Sequence, residues 1–172
     1  MTTRLMAPPL SRKVIENFAS YVRQELGMDI ELYIPIIKIV EHIIPQMDET
    51  FQVVTLYEDD MFGEYANYCP KTNTLSIRQD VYLAACNDDP RHRFTIAHEL
   101  GHYFIHDDDT KFSRCPPNAT IPRYRDPEWQ ANVFAASFLM PKDLICGMSA
   151  IDVAAACKTS VQSAEIALKY IK

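Results

Sequence analysis

The chain has 172 residues, of which 48% are hydrophobic, and a formal net charge of −6. This length and apolar content predict one globular domain over residues 1–172. The negative charge argues against direct binding to nucleic acid, which normally requires a basic surface. No apolar run is long enough to span a membrane, and five cysteines without regular spacing predict reduced thiols and a cytoplasmic location.

Two helices are predicted before residue 50. Ser11 is a good N-cap for the first helix, and Gly27 is a residue type that commonly ends one. The second helix is expected to start at Pro35, because proline suits a first helical turn, and to end before Pro45. Both helices are interpreted as scaffold.

Three β-rich segments follow, at residues 51–57, 64–69 and 74–78. The turn at 70–73 would join the last two as a hairpin. Asp80 is expected to cap a short helix. Strands followed by helices predict an α+β fold, in which a small, mostly antiparallel three-stranded sheet packs on helices. An edge strand of such a sheet can bind extended substrate backbone.

The motif His-Glu-x-x-His lies within residues 93–106. His98 and His102 are four residues apart, so on a helix they share one face and can bind the same Zn²⁺. Glu99 is rotated about 100° from His98, which suits a general base that acts beside the metal. Gly101 is a poor helix former, so its place in the motif indicates that another segment packs closely there.

The alternative interpretation of this motif is an amphipathic helix with two surface histidines. His106 continues the four-residue series, but it lies about 12 Å from His98 along a helix axis. We therefore expect His106 to pack or to form a hydrogen bond instead of binding zinc. Cys115 and the acidic triplet 107–109 are weaker candidates for a third ligand, since a free thiol and a solvated helix end explain them better.

Asp126 and Pro127 predict the start of another helix, which would extend to Met140. Glu128 and Asn132 share one face of this helix at four-residue spacing. Glu128 would supply the third protein ligand of zinc, and Asn132 would form a hydrogen bond to a ligand histidine. The alternative is that Glu128 only occupies a first-turn position that favours acidic side chains.

These two motifs together resemble the ImmA/IrrE-type metallo-endopeptidases. The resemblance rests on residues 94–102 with His106, and on Glu128 with residues 131–132, 134–136 and 139–141. It implies a gluzincin-like zinc peptidase fold, with His98, His102 and Glu128 on zinc and Glu99 as general base. It also implies an intracellular regulatory role, in which the substrate is a helix-turn-helix repressor of a mobile element or stress response.

The function predicted from the sequence is therefore a zinc-dependent endopeptidase that cleaves a regulatory protein. The alternative is a binding module with the same fold that sequesters a repressor or toxin without proteolysis, although the presence of Glu99 disfavours it. Candidates for a donor to the oxyanion are His92, Tyr103, Arg123, Tyr124 and Arg125. Residues 142–172 predict three short helices, interpreted as an appendage for packing or partner docking.

Overall fold

A computed structural model describes residues 5–106, 109–116 and 119–171. The strands, in chain order, are β1 (Leu5–Met6), β2 (Gln52–Leu56), β3 (Ala66–Cys69), β4 (Thr74–Arg78) and β5 (Ser113–Arg114). The helices are α1 (Arg12–Glu25), α2 (Ile36–Lys38), α3 (Ile44–Met47), α4 (Gln79–Cys86), α5 (Pro90–Ile105), α6 (Pro127–Leu139), α7 (Lys142–Ile145), α8 (Ala150–Cys157) and α9 (Val161–Lys169). The α+β class is confirmed, whereas the likeness to zincins stays a prediction.

The main sheet has the strand order β2-β4-β3. Strand β4 is parallel to β2 and antiparallel to β3, so the sheet is mixed, and the prediction of a mostly antiparallel sheet is wrong. The reason is the connection through residues 57–65, which carries the chain past the central position of the sheet. The hairpin after β3 then places β4 between β3 and β2. Because β4 is antiparallel to β3, and β3 runs opposite to β2, β4 pairs parallel to β2.

The second predicted helix does not end before Pro45. It runs from α2 through a π-helical turn at Ile39–Ile43 into α3, which contains Pro45. In this turn the amide of Ile44 donates to the carbonyl of Ile39, five residues back. A proline normally clashes with the carbonyl four residues before it. The wider π turn changes this spacing, so the helix can continue through the proline.

Two smaller predictions also need correction. Asp80 lies inside the first turn of α4 and pairs with Arg78, so it is not the N-cap. The predicted helix extended to Met140, but α6 ends at Leu139 and Met140 is its C-cap. The pairing of β1 with β5 was not predicted, because a two-residue strand has no readable pattern.

The core lies between α1, α5, α6 and the inner face of the sheet. Its largest buried apolar side chains include Phe134, Phe138, Ile77 and Ile96. The C-terminal residues form three short helices as predicted, and Ser160 caps α9 by accepting from the amide of Ser163. Their role as an appendage stays a prediction. None of the helices in the described ranges combines the length and apolar character of a membrane span.

Candidate metal centre

Helices α5 and α6 are in very close contact, and this contact creates the site. Gly101 faces Ala131, and a Cβ placed on Gly101 would lie 2.9 Å from both the Cα and the carbonyl oxygen of Ala131. Only glycine permits this approach. It explains the predicted close packing at Gly101, and it positions Glu128 of α6 opposite His98 and His102 of α5.

The structure brings together the three side chains predicted as metal ligands. The Nε2 atom of His98 lies 3.2 Å from Glu128 Oε2, and that of His102 lies 3.5 Å from Glu128 Oε1. The two Nε2 atoms are 3.2 Å apart. Two atoms that each lie about 2.0–2.1 Å from a tetrahedral ion are about 3.3 Å apart. The donor atoms are therefore spaced to bind one metal ion, which agrees with their grouping within 4.8 Å of one another.

Asn132 fixes the orientation of the first histidine. Its Oδ1 atom lies 3.0 Å from His98 Nδ1. An amide oxygen can only accept, so Nδ1 carries the proton and donates. A neutral His98 then has its lone pair on Nε2, directed at the other two candidate ligands.

A longer chain of hydrogen bonds orients His102. The Nε2 atom of Gln130 donates to the carbonyls of Pro8 and Tyr124, at 2.9 and 2.8 Å, so its Oε1 atom is the acceptor. His106 Nε2 donates to this oxygen at 2.7 Å. The Nδ1 atom of buried His106 therefore accepts from His102 Nδ1 at 3.0 Å. This leaves the lone pair of His102 on Nε2, facing the metal site.

When no metal is bound, protons on the histidine Nε2 atoms take its place, and the pKa shifts of Glu128 and His98 belong to that state. Burial lowers the pKa of His106 to about 4, so this residue is neutral near pH 7. Hydrogen bonds from His102 and His98 hold the pKa of Glu128 well below its usual range. Burial lowers the pKa of His98, but the hydrogen bond to Glu128 and the nearby carboxylate charges outweigh it and raise the pKa overall.

The three candidate ligands His98, His102 and Glu128 require a positive charge between them. Two imidazole lone pairs and a carboxylate converge at 3.2–3.5 Å, which is repulsive unless a cation lies among them. A proton can supply part of that charge. A divalent metal satisfies all three atoms at once, so the donor set fits a metal ion.

Glu99 lies beside this group and outside it. Its Oε2 atom accepts from the backbone amide of Tyr68 on β3, at 2.9 Å. Burial raises the pKa of Glu99 above its ordinary value. A carboxylate with a raised pKa that is held next to a metal site is suited to take up and release a proton.

An open cleft gives access to the site. We call it the metal cleft; it has a volume of about 460 Å³ and is lined by Glu64, Tyr65, Ala66, Asn67, Tyr68, Thr95, His98, Glu99, His102 and Glu128. One wall is β3, an edge strand of the sheet. The carbonyl of Tyr65 accepts from the amide of Arg78, the last residue of β4. Backbone groups of successive residues in a strand point to opposite sides, so the amide and carbonyl of Ala66 point away from the sheet. This edge can pair with an extended peptide.

Other residues predicted for the site lie elsewhere. The hydroxyl of Tyr103 donates to Asp48, and His92 pairs with Asp89. Within the described residues, none of the five predicted oxyanion donors lines the metal cleft. Cys115 hydrogen-bonds the carbonyl of Ala119. Of the acidic triplet, residues 107 and 108 lie outside the described residues, and Asp109 borders a different cavity.

Sequence reasoning did not predict the roles of Gln130 and Tyr68. Gln130 is fully buried between Trp129 and Ala131, in a stretch of α6 that also contains the polar residues Glu128 and Asn132. A buried polar residue in such a stretch requires partners, and this was the available signal. Tyr68 acts through its backbone amide, which no side-chain pattern can reveal.

Comparison with known proteins agrees with this geometry. Residues 48–150 match the family model described as the IrrE N-terminal-like domain, Peptidase M78. A solved structure of a Mycobacterium tuberculosis transcriptional regulator superposes with a TM-score of 0.52 at 15% identity, over 87% of this chain and 45% of that one. This likeness concerns the fold alone, and the chain spans less than half of that protein. No curated protein matches the sequence significantly.

Proposed function

Because the chain belongs to the IrrE N-terminal-like family of the M78 peptidases, we propose that it is an intracellular zinc-dependent endopeptidase that cleaves a regulatory protein. The observation that carries the proposal is the convergence of His98, His102 and Glu128 beside Glu99. Two imidazoles and one carboxylate are a donor set typical of catalytic zinc, with a fourth position left for water or substrate. A reducing compartment is supported by five free thiols.

Zinc at this site would polarise the scissile carbonyl and make the attacking water more acidic. Glu99 would take the proton from this water and deliver it to the leaving amine. The amide of Tyr68 holds the Glu99 carboxylate in place. The hydrogen bonds from Asn132 to His98 and from His106 to His102 keep both Nε2 lone pairs directed at the metal.

The free edge of β3 would hold the substrate. An extended peptide that pairs with the amide and carbonyl of Ala66 would lie in the cleft that Glu99 and the candidate metal ligands also line. Such pairing requires an extended segment of the substrate with unpaired backbone groups, which a helix does not offer. We propose a helix-turn-helix repressor as the substrate, as the resemblance to the family implies.

The proposal is tested with Glu99→Gln, a variant that keeps the size of the side chain and removes the base. The variant should bind zinc as the wild type does and should capture the substrate from cell extract without cutting it. Each captured protein is then incubated with the wild type. Cleavage by the wild type and not by Glu99→Gln supports the peptidase, whereas a full biological response from Glu99→Gln would establish a binding module instead.

A further inference from the structure

A second cavity continues the groove between β3 and α5 beyond the metal cleft. We call it the Asp48 cavity, and it has a volume of about 650 Å³. Its lining includes Asp48, Tyr68, Lys71, Tyr103, Phe104 and Asp109. Tyr68 lines both the metal cleft and the Asp48 cavity. Tyr103 follows Glu99 by four residues on α5, which is about 6 Å along the helix axis. A peptide that follows the edge of β3 past Tyr68 therefore reaches the Asp48 cavity.

Three aromatic side chains contribute to the lining of the Asp48 cavity. The ring of Tyr103 meets the ring of Tyr68 edge to face at 5.5 Å between centroids, and it meets the ring of Phe104 at 4.8 Å. All three residues are half-buried. The faces of aromatic rings attract cations, because their π electrons carry partial negative charge. This lining therefore suits a positively charged group on an apolar stem, which Lys and Arg side chains provide.

Asp48 gives the cavity a negative charge that its neighbours hold in place. The amide and the hydroxyl of Thr50 donate to Oδ1 at 3.0 and 2.6 Å, and Asn73 Nδ2 and the Tyr103 hydroxyl donate to Oδ2 at 2.8 and 3.1 Å. These hydrogen bonds, above all that from the Thr50 hydroxyl, lower the pKa of Asp48 and keep it charged near pH 7. The donors are all uncharged, and no Lys, Arg or His of the described residues forms an ion pair with Asp48. The carboxylate is therefore oriented without being neutralised.

The other charged residues that line the cavity are Lys71 and Asp109, and both are exposed. Two carboxylates and one ammonium leave the described lining with net negative charge. Salt screens the two exposed charges more than it screens half-buried Asp48. The Asp48 cavity therefore attracts a cationic side chain and repels an acidic one.

The direction of β3 relates the Asp48 cavity to the substrate. The ring of Tyr65 lies beside His92 near the start of α5, whereas the amide of Tyr68 binds Glu99 further along, so β3 and α5 run the same way. A peptide that pairs antiparallel to β3, the commoner arrangement, runs from the Asp48 cavity past Glu99 toward the start of α5. Residues before the scissile bond therefore lie at the end where the Asp48 cavity is found.

We propose that the Asp48 cavity binds a Lys or Arg side chain of the substrate, from the second residue before the scissile bond. The 6 Å between Glu99 and Tyr103 along α5 corresponds to about two residues of an extended peptide, which sets this position. The charged end of the side chain would approach Asp48, and its stem would pack on the rings of Tyr68 and Tyr103. This specificity site rests on the proposed peptidase function.

The test uses zinc-directed probes, because the natural substrate is unidentified. Three acetyl-Xaa-glycine hydroxamates are compared, in which Xaa is arginine, norleucine or glutamate. The hydroxamate binds zinc in place of the scissile bond, so Xaa is the second residue before it. Their Kd values are measured by calorimetry on the zinc-loaded protein. The arginine probe should bind about fivefold tighter than the norleucine probe, and the glutamate probe should bind more weakly than both.

Three variants locate the source of this preference. Asp48→Asn should reduce the preference for arginine over norleucine to less than about twofold. Lys71→Gln, at an exposed position, should raise the preference about twofold, because it removes the opposing charge. The matched control is Asp143→Asn, which removes an exposed carboxylate of α7 that lines neither the Asp48 cavity nor the metal cleft. This control should keep the preference of the wild type.

Three results would overturn the specificity site and leave the zinc peptidase standing. They are binding of the arginine and norleucine probes to the wild type within about twofold, tighter binding of the glutamate probe, and an unchanged preference in Asp48→Asn. If Asp48→Asn does not fold, an unchanged preference in Lys71→Gln overturns the specificity site instead. If none of the hydroxamates binds, the zinc site itself fails, and the specificity site fails with it.

Discussion

The contact between Gly101 and Ala131 predicts an unusual outcome for Gly101→Ala. Inside a helix, alanine is favoured over glycine by about 1 kcal/mol, so helix propensity alone predicts a more stable protein. In this structure the added Cβ would lie 2.9 Å from two backbone atoms of Ala131. Backbone atoms cannot rotate away as a side chain can, so α6 must move away from α5.

The size of the steric cost relative to the gain in helix propensity decides whether Gly101→Ala raises or lowers the free energy of unfolding. Overpacking a core typically costs about 1–3 kcal/mol, which exceeds the gain in propensity, so we expect a net loss of about 1 kcal/mol in the free energy of unfolding. Glu128 lies three residues before Ala131 on the same helix and moves with it. A misplaced third ligand should also weaken zinc binding about tenfold, equivalent to about 1.4 kcal/mol.

Urea denaturation of the metal-free protein measures the first effect, and competition with a coloured chelator measures the second. The double variant Gly101→Ala with Ala131→Gly is the control. Because the closest atoms are the Cα and carbonyl oxygen of Ala131, removing its Cβ should restore little of the lost stability. A more stable Gly101→Ala protein with unchanged zinc affinity would refute the reasoning.

Further predictions concern the ligands, their support and the effect of pH. Glu128→Gln should lose zinc during dialysis against a mild chelator, whereas Asp109→Asn should keep it; the opposite pattern would exclude Glu128 as the third ligand. His106→Ala should still bind one zinc per chain, but about 10–100-fold more weakly, because His102 loses its acceptor; complete loss of metal would make His106 a ligand. Hydrogen bonds from Thr50, and then from other neighbours, lower the pKa of Asp48 from 3.8 to about 2. The charged form therefore stabilises the fold above about pH 4, and this contribution is lost as the pH falls toward 2. The difference in free energy of unfolding between wild type and Asp48→Asn, measured in urea, should be larger at pH 7 than at pH 3, and an equal difference at both would contradict the assignment.

Much of the candidate site was predictable because its signals are local. The four-residue spacing of His98 and His102 requires only a helix, and residues 93–105 form one. Asp126 and Pro127 marked the start of α6, and Asp126 accepts from the amide of Glu128 as an N-cap should. The position of Glu128 opposite the histidines was predicted because a catalytic zinc site needs a third protein ligand.

The remaining features depend on contacts between distant residues. The parallel pairing of β2 with β4 is decided by how the connection between β2 and β3 crosses the sheet. The continuation of a helix through Pro45 is decided by a π turn that no propensity scale predicts. The support of His102 reaches the carbonyl of Pro8, which lies 94 residues earlier in the chain and carries no side-chain signal.

The link from Pro8 through Gln130 and His106 to His102 has a practical consequence for anyone producing this protein. The chain near Pro8 is held by backbone hydrogen bonds of Ala7 to Arg125 and of Leu10 to Tyr124, beside the pairing of β1 with β5. A purification tag that strains this segment, or a protease that trims it, would disturb the orientation of a metal ligand without touching the ligand. Preparations with an intact His-Glu-x-x-His motif could then differ in metal content according to how their amino-terminal ends were made.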